Sequence, residues 1–415
     1  MKNVLIIPPF YPYPLTSGGH QAIYNGIAIL KDVANVYVLA ETTESQYKRG
    51  QCDILMQALP FVHIVPYIDP ASRHTFTWYC RVLRNKILAK LHISPKVQPD
   101  ETPEQKPKKL VHGIYDFPEE EATFIVNVIR KYKIDIVQVE MVPKMSLVKY
   151  LPDDVRKVFV HHELKFVRDE LVLNQSEGFT DEDWMRWREN KVEEVALLNQ
   201  YDDIITLSAI DTVKLQEAGV TKPITTSLAV VSDEVKPLAQ EKPISKVLSY
   251  VGPEEHYPNY DGVMWFLENC WSKLRAQDPD YSFQIIGKWS AETAEHLATA
   301  YPGVKCVGFV DNLGEAISGT TMIVPLNIGS GIRMKILEAA RLGVPVVATP
   351  VGAEGLPLED GIHAFITADA DDFIKDIIAL QEESLRRKFV ENTRKVIEHQ
   401  YSLEALKRNR IALYE

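Results

Sequence analysis

The sequence predicts an α/β protein built from two Rossmann-like, doubly wound parallel-sheet domains that face a cleft. Three observations carry that expectation. The chain has 415 residues, more than one ordinary hydrophobic core accommodates. Short Val/Ile-rich runs alternate with segments of helical periodicity through both halves. A polar, proline-punctuated stretch, residues 232–245, separates the halves and reads as a linker.

In the first half the expected strands are Val4–Pro8, Val36–Ala40, Val62–Tyr67, Ile134–Glu140, Val158–His162 and Ile204–Ser208. In the second they are Val247–Gly252, Phe283–Gly287, Cys306–Val310, Met322–Leu326, Val344–Thr349 and Ala364–Thr367. Several are continuous apolar runs, as strands covered on both faces require. Gly262–Arg275 has helical periodicity, with Val263, Phe266, Leu267, Cys270, Trp271 and Leu274 on one face. The expected domains are then 1–231, 246–395 and a C-terminal helix, 396–415, crossing back to the first domain. In such sheets ligands bind beyond the carboxyl ends of the strands.

Composition is that of a soluble globular protein, 46% hydrophobic and 25% charged. No apolar run approaches the ~20 residues that a membrane span needs. The N-terminus, MKNVLIIPPF, reads as a first strand and not as a secretory signal. The net charge of −11 argues against general nucleic-acid binding. Cys52, Cys80, Cys270 and Cys306 have no metal or redox spacing and fit reduced thiols of the cytoplasm. One segment breaks the pattern. Residues 71–99 lack Asp and Glu but carry Arg73, Arg81, Arg84, Lys86, Lys90 and Lys96 among aromatic and aliphatic residues. That is either a basic amphipathic helix for an anionic membrane surface, at its inner face, or a surface helix packed on its own domain. The following stretch, 97–109, is rich in Pro, Lys and Glu and reads as a loop.

The most informative chemistry lies at residues 325–338, PLNIGSGIRMKILE. It reads as a strand end, a glycine loop (Gly329, Ser330, Gly331) and a helix start. Free backbone N–H groups at such a point suit a phosphate. Arg333 and Lys335 place two cations where helix-dipole logic prefers acids, which implies an anion to hold. Glu338 lies two turns on, within reach of sugar-like hydroxyls. The alternative is a plain βαβ unit whose cations are solvated and whose Glu338 pairs with Lys335.

In the first half, Gly18-Gly19 opens a helix just past the first strand, again offering backbone donors to an anion or a sugar oxygen. The G-x-G-x-x-G spacing is absent there, which counts against nicotinamide-dependent oxidoreduction. Val160-His161-His162-Glu163-Leu164 puts a histidine beside a carboxylate at a strand's carboxyl end. His162 should face the cleft and His161 the opposite way, although either one alone could be a core histidine. Two adjacent histidines are not metal-ligand spacing, so no metal is expected. Glu140 ends the preceding strand at the cleft rim, with Glu163 and Arg168 as further candidates on the acceptor side.

These residues resemble the retaining glycosyltransferases of the GT-B fold, specifically glycosyltransferase family 4 (glycosyl transferases group 1). The resemblance covers nearly the whole chain and is strongest over 247–356. It implies a nucleotide-diphosphate sugar, of UDP or GDP, on the second domain. Glu338 matches the second glutamate of the family's E-x7-E motif, which holds the ribose, and Ser330 stands where the first would be. Gly329, Ser330, Gly331, Ile332, Arg333, Lys335 and Glu338 match a subgroup pattern, G-S-G-x-R-x-K-x-L-E-A, that pairs with Pro258-Asn259 after Val251-Gly252. The family's usual basic pair near Gly252 is missing, so Arg333 and Lys335 should inherit the diphosphate. Phe309 and Val310 match the position lining the base, Gly19 (with Gly18) the glycine approaching the donor phosphate, and His162 the histidine that contacts donor sugar or acceptor. The family's PNG segment at the domain junction is replaced by Ala229-Val230-Val231-Ser232.

The resemblance implies sugar transfer to an acceptor hydroxyl with retention, with His162, Arg333 and Lys335 as the catalytic set; a place in cell-surface polysaccharide or glycoconjugate synthesis fits the basic segment 71–99. No cofactor or metal is expected beyond the nucleotide sugar, and the acceptor is a sugar, a lipid-linked glycan or a protein. The alternatives are a nucleotide-sugar epimerase of the same fold and a binder that has lost turnover.

Overall fold

The structure, a computed structural model, describes residues 1–70, 113–175, 178–232, 235–240 and 242–415. The basic segment 71–99, the loop at 97–109, Cys80 and parts of the linker lie outside the described residues. The first sheet has seven strands in the order β3-β2-β1-β4-β5-β6-β7, all pairs parallel. These are β1 (Lys2–Ile7), β2 (Ala34–Thr42), β3 (Val62–Ile68), β4 (Ile136–Glu140), β5 (Arg156–His161), β6 (Asp203–Thr206) and β7 (Ile224–Thr226). The second sheet has six, in the order β10-β9-β8-β11-β12-β13, also parallel. They are β8 (Val247–Val251), β9 (Ser282–Ile286), β10 (Val304–Gly308), β11 (Thr321–Val324), β12 (Val346–Ala348) and β13 (Phe365–Ile366).

Every strand expected from the sequence is present, and the differences at their ends have local causes. β11 stops before Pro325, which has no N–H for the ladder. β6 stops before Ser208, whose side chain caps the next helix by accepting from Asp211 N. β7 has only three half-buried residues, Ile-Thr-Thr, and is too short for a periodic signal. The helix expected at Gly262–Arg275 is longer. It starts at Tyr257, passes through a π turn (Leu267–Trp271) and ends at Gln277.

Each sheet carries its own core. β4 and the middle of β1 and β5 are fully buried, with Val4, Leu5, Ile6, Val137, Val139 and Phe159 inaccessible to solvent. The second core gathers Tyr250, Phe266, Trp271, Phe283 and Phe373. The last helix, Leu403–Arg410, follows an N-cap at Ser402 and packs on the first domain. There Arg410 Nε donates to Ser227 Oγ at 3.1 Å, Arg156 Nη1 donates to Leu413 O at 2.8 Å, and Leu406 and Tyr414 join the first domain's core.

In both sheets the strand order reverses direction once, between β1 and β4 and between β8 and β11. A crevice opens beyond the carboxyl ends at such a point because the neighbouring crossovers leave on opposite faces. The loops after β1, β4 and β5 therefore meet those after β8 and β11.

Candidate active site

The glycine loop after β11 is docked against the first domain. Ser330 Oγ donates to Leu164 O at 3.1 Å, so its hydroxyl is committed to an interdomain contact. Gly331 has φ +75°, and a Cβ there would lie 2.3 Å from His162 O. Only glycine fits. On the other side, a Cβ on Gly18 would lie 2.6 Å from Met334 Cβ, while Gly19 faces Met141 and Phe10. The two glycine elements thus let the backbones of opposite domains approach.

The helix after the loop spans Met334–Leu342 with Arg333 at its N-cap, so it begins two residues later than a start directly after Gly331. Arg333 is buried. Its Nη1 donates to Ser330 O and, at 3.1 Å, to Gly331 O. Its Nε and Nη2 are buried without a hydrogen-bond partner among the described residues. Burial pulls the guanidinium pKa down, with Glu163, Glu354 and Asp211 opposing. Lys335 Nζ donates to Tyr250 OH at 2.8 Å and Asn259 Oδ1 at 3.0 Å, and sits 4.0 Å from the Tyr250 ring centroid. Its partners are neutral. Burial, reinforced by Arg333, pushes its ammonium well below the usual lysine range.

Asn259 is a positioning group. Tyr250 OH donates to its Oδ1 at 2.7 Å and its Nδ2 donates to Pro253 O at 2.8 Å, which holds the turn after Gly252. Phe309 follows β10 and is 59% exposed, and Val310 packs on the core beside it. Ile332 packs beside Met334 against residues of both domains. Glu338 is buried, and its Oε1 accepts from Gln21 Nε2 of the first domain at 2.5 Å. Burial is the main reason its carboxyl is pushed up to about 7, against the Gln21 hydrogen bond and Lys335.

On the first-domain side, His161 and His162 diverge as alternation along a strand requires. His161 turns into the core, with Nε2 2.9 Å from Glu194 Oε1. His162 Nε2 lies 2.6 Å from Glu140 Oε2, and Gln138 Nε2 donates to the other oxygen of Glu140. Gln138 is in turn joined to Tyr414 OH. Met141, directly after Glu140, has φ +65°, a strained value for a residue with a side chain and one that clusters at functional sites. Glu163 pairs with Arg168 at 2.9 Å and lies 3.8 Å from His256. Burial opposes its charge, but Arg168, His256 and Arg333 outweigh burial and hold its carboxyl well below the usual range. Arg168 also reaches Asp169 at 3.1 Å.

The structure therefore gathers Gly18, Gly19, His162, Glu163, Ser330, Gly331, Arg333 and Glu338 at one interdomain junction. Sequence reasoning missed Gln21, Tyr250 and Gln138. Gln21 follows Gly19 by two residues, a signal available in the chain; the other two sit inside strands and carry none. A groove of about 390 Å³ lies nearby, lined by Gln175, Asp261, Met264, Trp265, Glu268 and Asn327, and takes none of the expected site residues. Among the described residues, no group of three His, Cys, Asp or Glu side chains is placed to hold a metal ion. No helix among them is long and apolar enough to cross a membrane.

Residues 245–383 match the family described as Glycosyl transferases group 1. A curated relative, an uncharacterized 44.6 kDa protein in the cps region of Klebsiella pneumoniae, is 27% identical over 129 residues. That match covers 29% of this chain and 33% of the relative, about a third of its length. Among solved structures, a TarM mutant of S. aureus in complex with fondaparinux, α-GlcNAc-glycerol and UDP superposes with a TM-score of 0.70 at 11% identity, over 100% of both chains. Anabaena HepE in complex with UDP and glucose gives 0.65 at 12% identity, over 100% of this chain and 99% of that one. Sucrose-phosphate synthase from Thermosynechococcus elongatus gives 0.69 at 14% identity, over 100% and 98%. The chain thus has the GT-B fold, two parallel-sheet Rossmann-like domains, and its second domain carries the match to the glycosyl transferases group 1 family.

Proposed function

We propose that the protein transfers a sugar from a UDP- or GDP-sugar to an acceptor hydroxyl, with retention at the anomeric carbon. One observation carries the reading: Arg333 is buried at the switch point of the second sheet with two guanidinium nitrogens unpartnered among the described residues. A buried cation with some of its N–H groups left unpaired is costly unless an anion completes it. Lys335, whose hydrogen-bond acceptors among the described residues are neutral, has the same need. A diphosphate supplies both. TarM and HepE were crystallised with UDP, and the second-domain family match supports the same ligand class here.

The chemistry is charge stabilisation. As the glycosidic bond breaks, the leaving diphosphate gains negative charge, and preorganised donors in a closed site stabilise that charge better than water does. Arg333, Lys335 and the amides around Gly18-Gly19 and Gly329–Gly331 are the donors. His162, oriented by Glu140, stands on the acceptor side with Nδ1 unpartnered among the described residues. Glu163 is tied to Arg168 and is a poor candidate for a carboxylate nucleophile. Attack on the face shared with the leaving phosphate therefore suits these residues better than double displacement. Phe309, exposed beyond β10, is the candidate platform for the nucleobase. A role in cell-surface polysaccharide or glycoconjugate synthesis, with contact to anionic lipid, rests on the basic composition of 71–99 alone. Flotation with anionic liposomes tests it, and failure to co-float would remove it.

A second reading, nucleotide-sugar binding without turnover, is favoured by one observation. Ser330, at the family's first glutamate position, spends its hydroxyl on Leu164 O. A thermal-shift panel of nucleotide sugars tests the shared premise, because a ligand of the folded state raises its stability by mass action. Product analysis with acceptor extracts then separates transfer from binding alone.

A further inference from the structure

Gln21 lies on the Gly18–Ala28 helix of the first domain, just past the glycine pair, and is 2% exposed. Both ends of its amide are used. Nε2 donates to Glu338 Oε1 across the domain junction, and Oε1 accepts from the backbone N of Ser232 in the linker at 3.2 Å. One turn further along the same helix, Asn25 Nδ2 donates to Val230 O at 2.7 Å, so that face of the helix holds both the start of the linker and the chain just before it. Glu338 belongs to the second domain. Its Oε1 is held by Gln21, while its Oε2 has no hydrogen-bond partner among the described residues and is not sealed from solvent.

A carboxylate held at one oxygen and open at the other presents an acceptor in a defined orientation. The matching donors are the hydroxyls of a polyol such as ribose. We propose that Gln21 is a positioning residue for nucleotide recognition: from the first domain it fixes Glu338 so that Oε2 meets the ribose hydroxyls, and through Ser232 it ties that grip to the seating of the linker. The inference rests on the nucleotide-binding reading of this site. Its consequence is that the donor site of the second domain is incomplete until the first domain delivers Gln21.

The test is calorimetric titration of full-length wild type and Gln21→Ala with UDP and GDP, each beside its 2′,3′-dideoxy form. The proposal expects Gln21→Ala to weaken the ribose-containing nucleotide about tenfold or more, the lower end of what one hydrogen bond to a charged group is worth. It expects the dideoxy form to lose less than about twofold, and Gln21→Ala to add nothing in a Glu338→Ala background. A merely structural role would weaken both ligands alike. Equal losses, or no loss, would overturn the proposal while leaving the donor site standing. Wild type that binds neither nucleotide would overturn the donor-site reading and this inference with it. Gln21→Met fills similar volume without either hydrogen bond and keeps the comparison decisive should the alanine variant fail to fold.

Discussion

Arg333 carries opposing demands. Taking a guanidinium out of water is costly, and two backbone carbonyls return only part of that cost. Replacing it with a flexible apolar side chain should therefore relieve the unliganded protein while injuring its ligand site. Arg333→Met is expected to leave the Tm of the free protein unchanged or raised, and to weaken UDP or GDP binding by about 1.5–3 kcal/mol. Scanning calorimetry and titration of the same preparation check both halves. Glu338 gives a pH prediction with a defined sign. Its carboxyl is raised on folding to about 7, so its proton is held more tightly in the folded state. The associated stability is fully present below the ordinary carboxyl range near ~4.3 and is lost as pH rises through about 7. Glu338→Gln should accordingly gain Tm relative to wild type between pH 5 and pH 8. A difference in Tm that stays constant over that range would refute the assignment. That two cations stand at an improbable position was legible in the sequence. That Arg333 Nε and Nη2 lack partners among the described residues was not, because burial and orphaned N–H groups belong to the assembled domains.

At the scale of elements, the Gly329–Gly331 loop acts as a spacer between domains. Gly331→Ala combines a left-handed backbone with a Cβ against the His162 carbonyl. It should destabilise the protein by roughly 1–3 kcal/mol. Ser330→Ala, which removes only the bond to Leu164 O, should cost about 1 kcal/mol. Urea midpoints of the two variants check the ordering; equal midpoints would mean that the loop is not pressed on the first domain as described. The strands were readable because buried parallel strands are continuous apolar runs, and Pro325 and Ser208 mark where two of them stop. β7 was not, since its three residues owe their place to β6. The start of the Met334–Leu342 helix was misjudged because the loop's glycines look like a helix opening, whereas positive φ at Gly329 and Gly331 delays it.

Across the whole molecule, the C-terminal segment reaches His162 through buried polar groups. Tyr414, Gln138, Glu140 and His162 form a continuous hydrogen-bonded chain, and Tyr414 and Gln138 are 276 residues apart in sequence. No local pattern reveals such a contact; only the path of the chain back over the first domain makes it. Tyr414→Phe leaves Gln138 Oε1 without its hydroxyl donor and should cost about 1–3 kcal/mol of stability. It should also shift the His162 imidazole resonances although the two side chains do not touch. Unmoved resonances would show that the chain does not orient His162. The two sheets, the linker and the C-terminal segment serve one end, bringing backbone amides and two cations to a single interdomain point. A crystal structure with bound UDP tests that claim most directly. The account predicts pyrophosphate oxygens within hydrogen-bond distance of Arg333 Nε and Nη2, with Lys335 Nζ beside them. A nucleotide seated elsewhere, with those guanidinium nitrogens still unpaired, would contradict it.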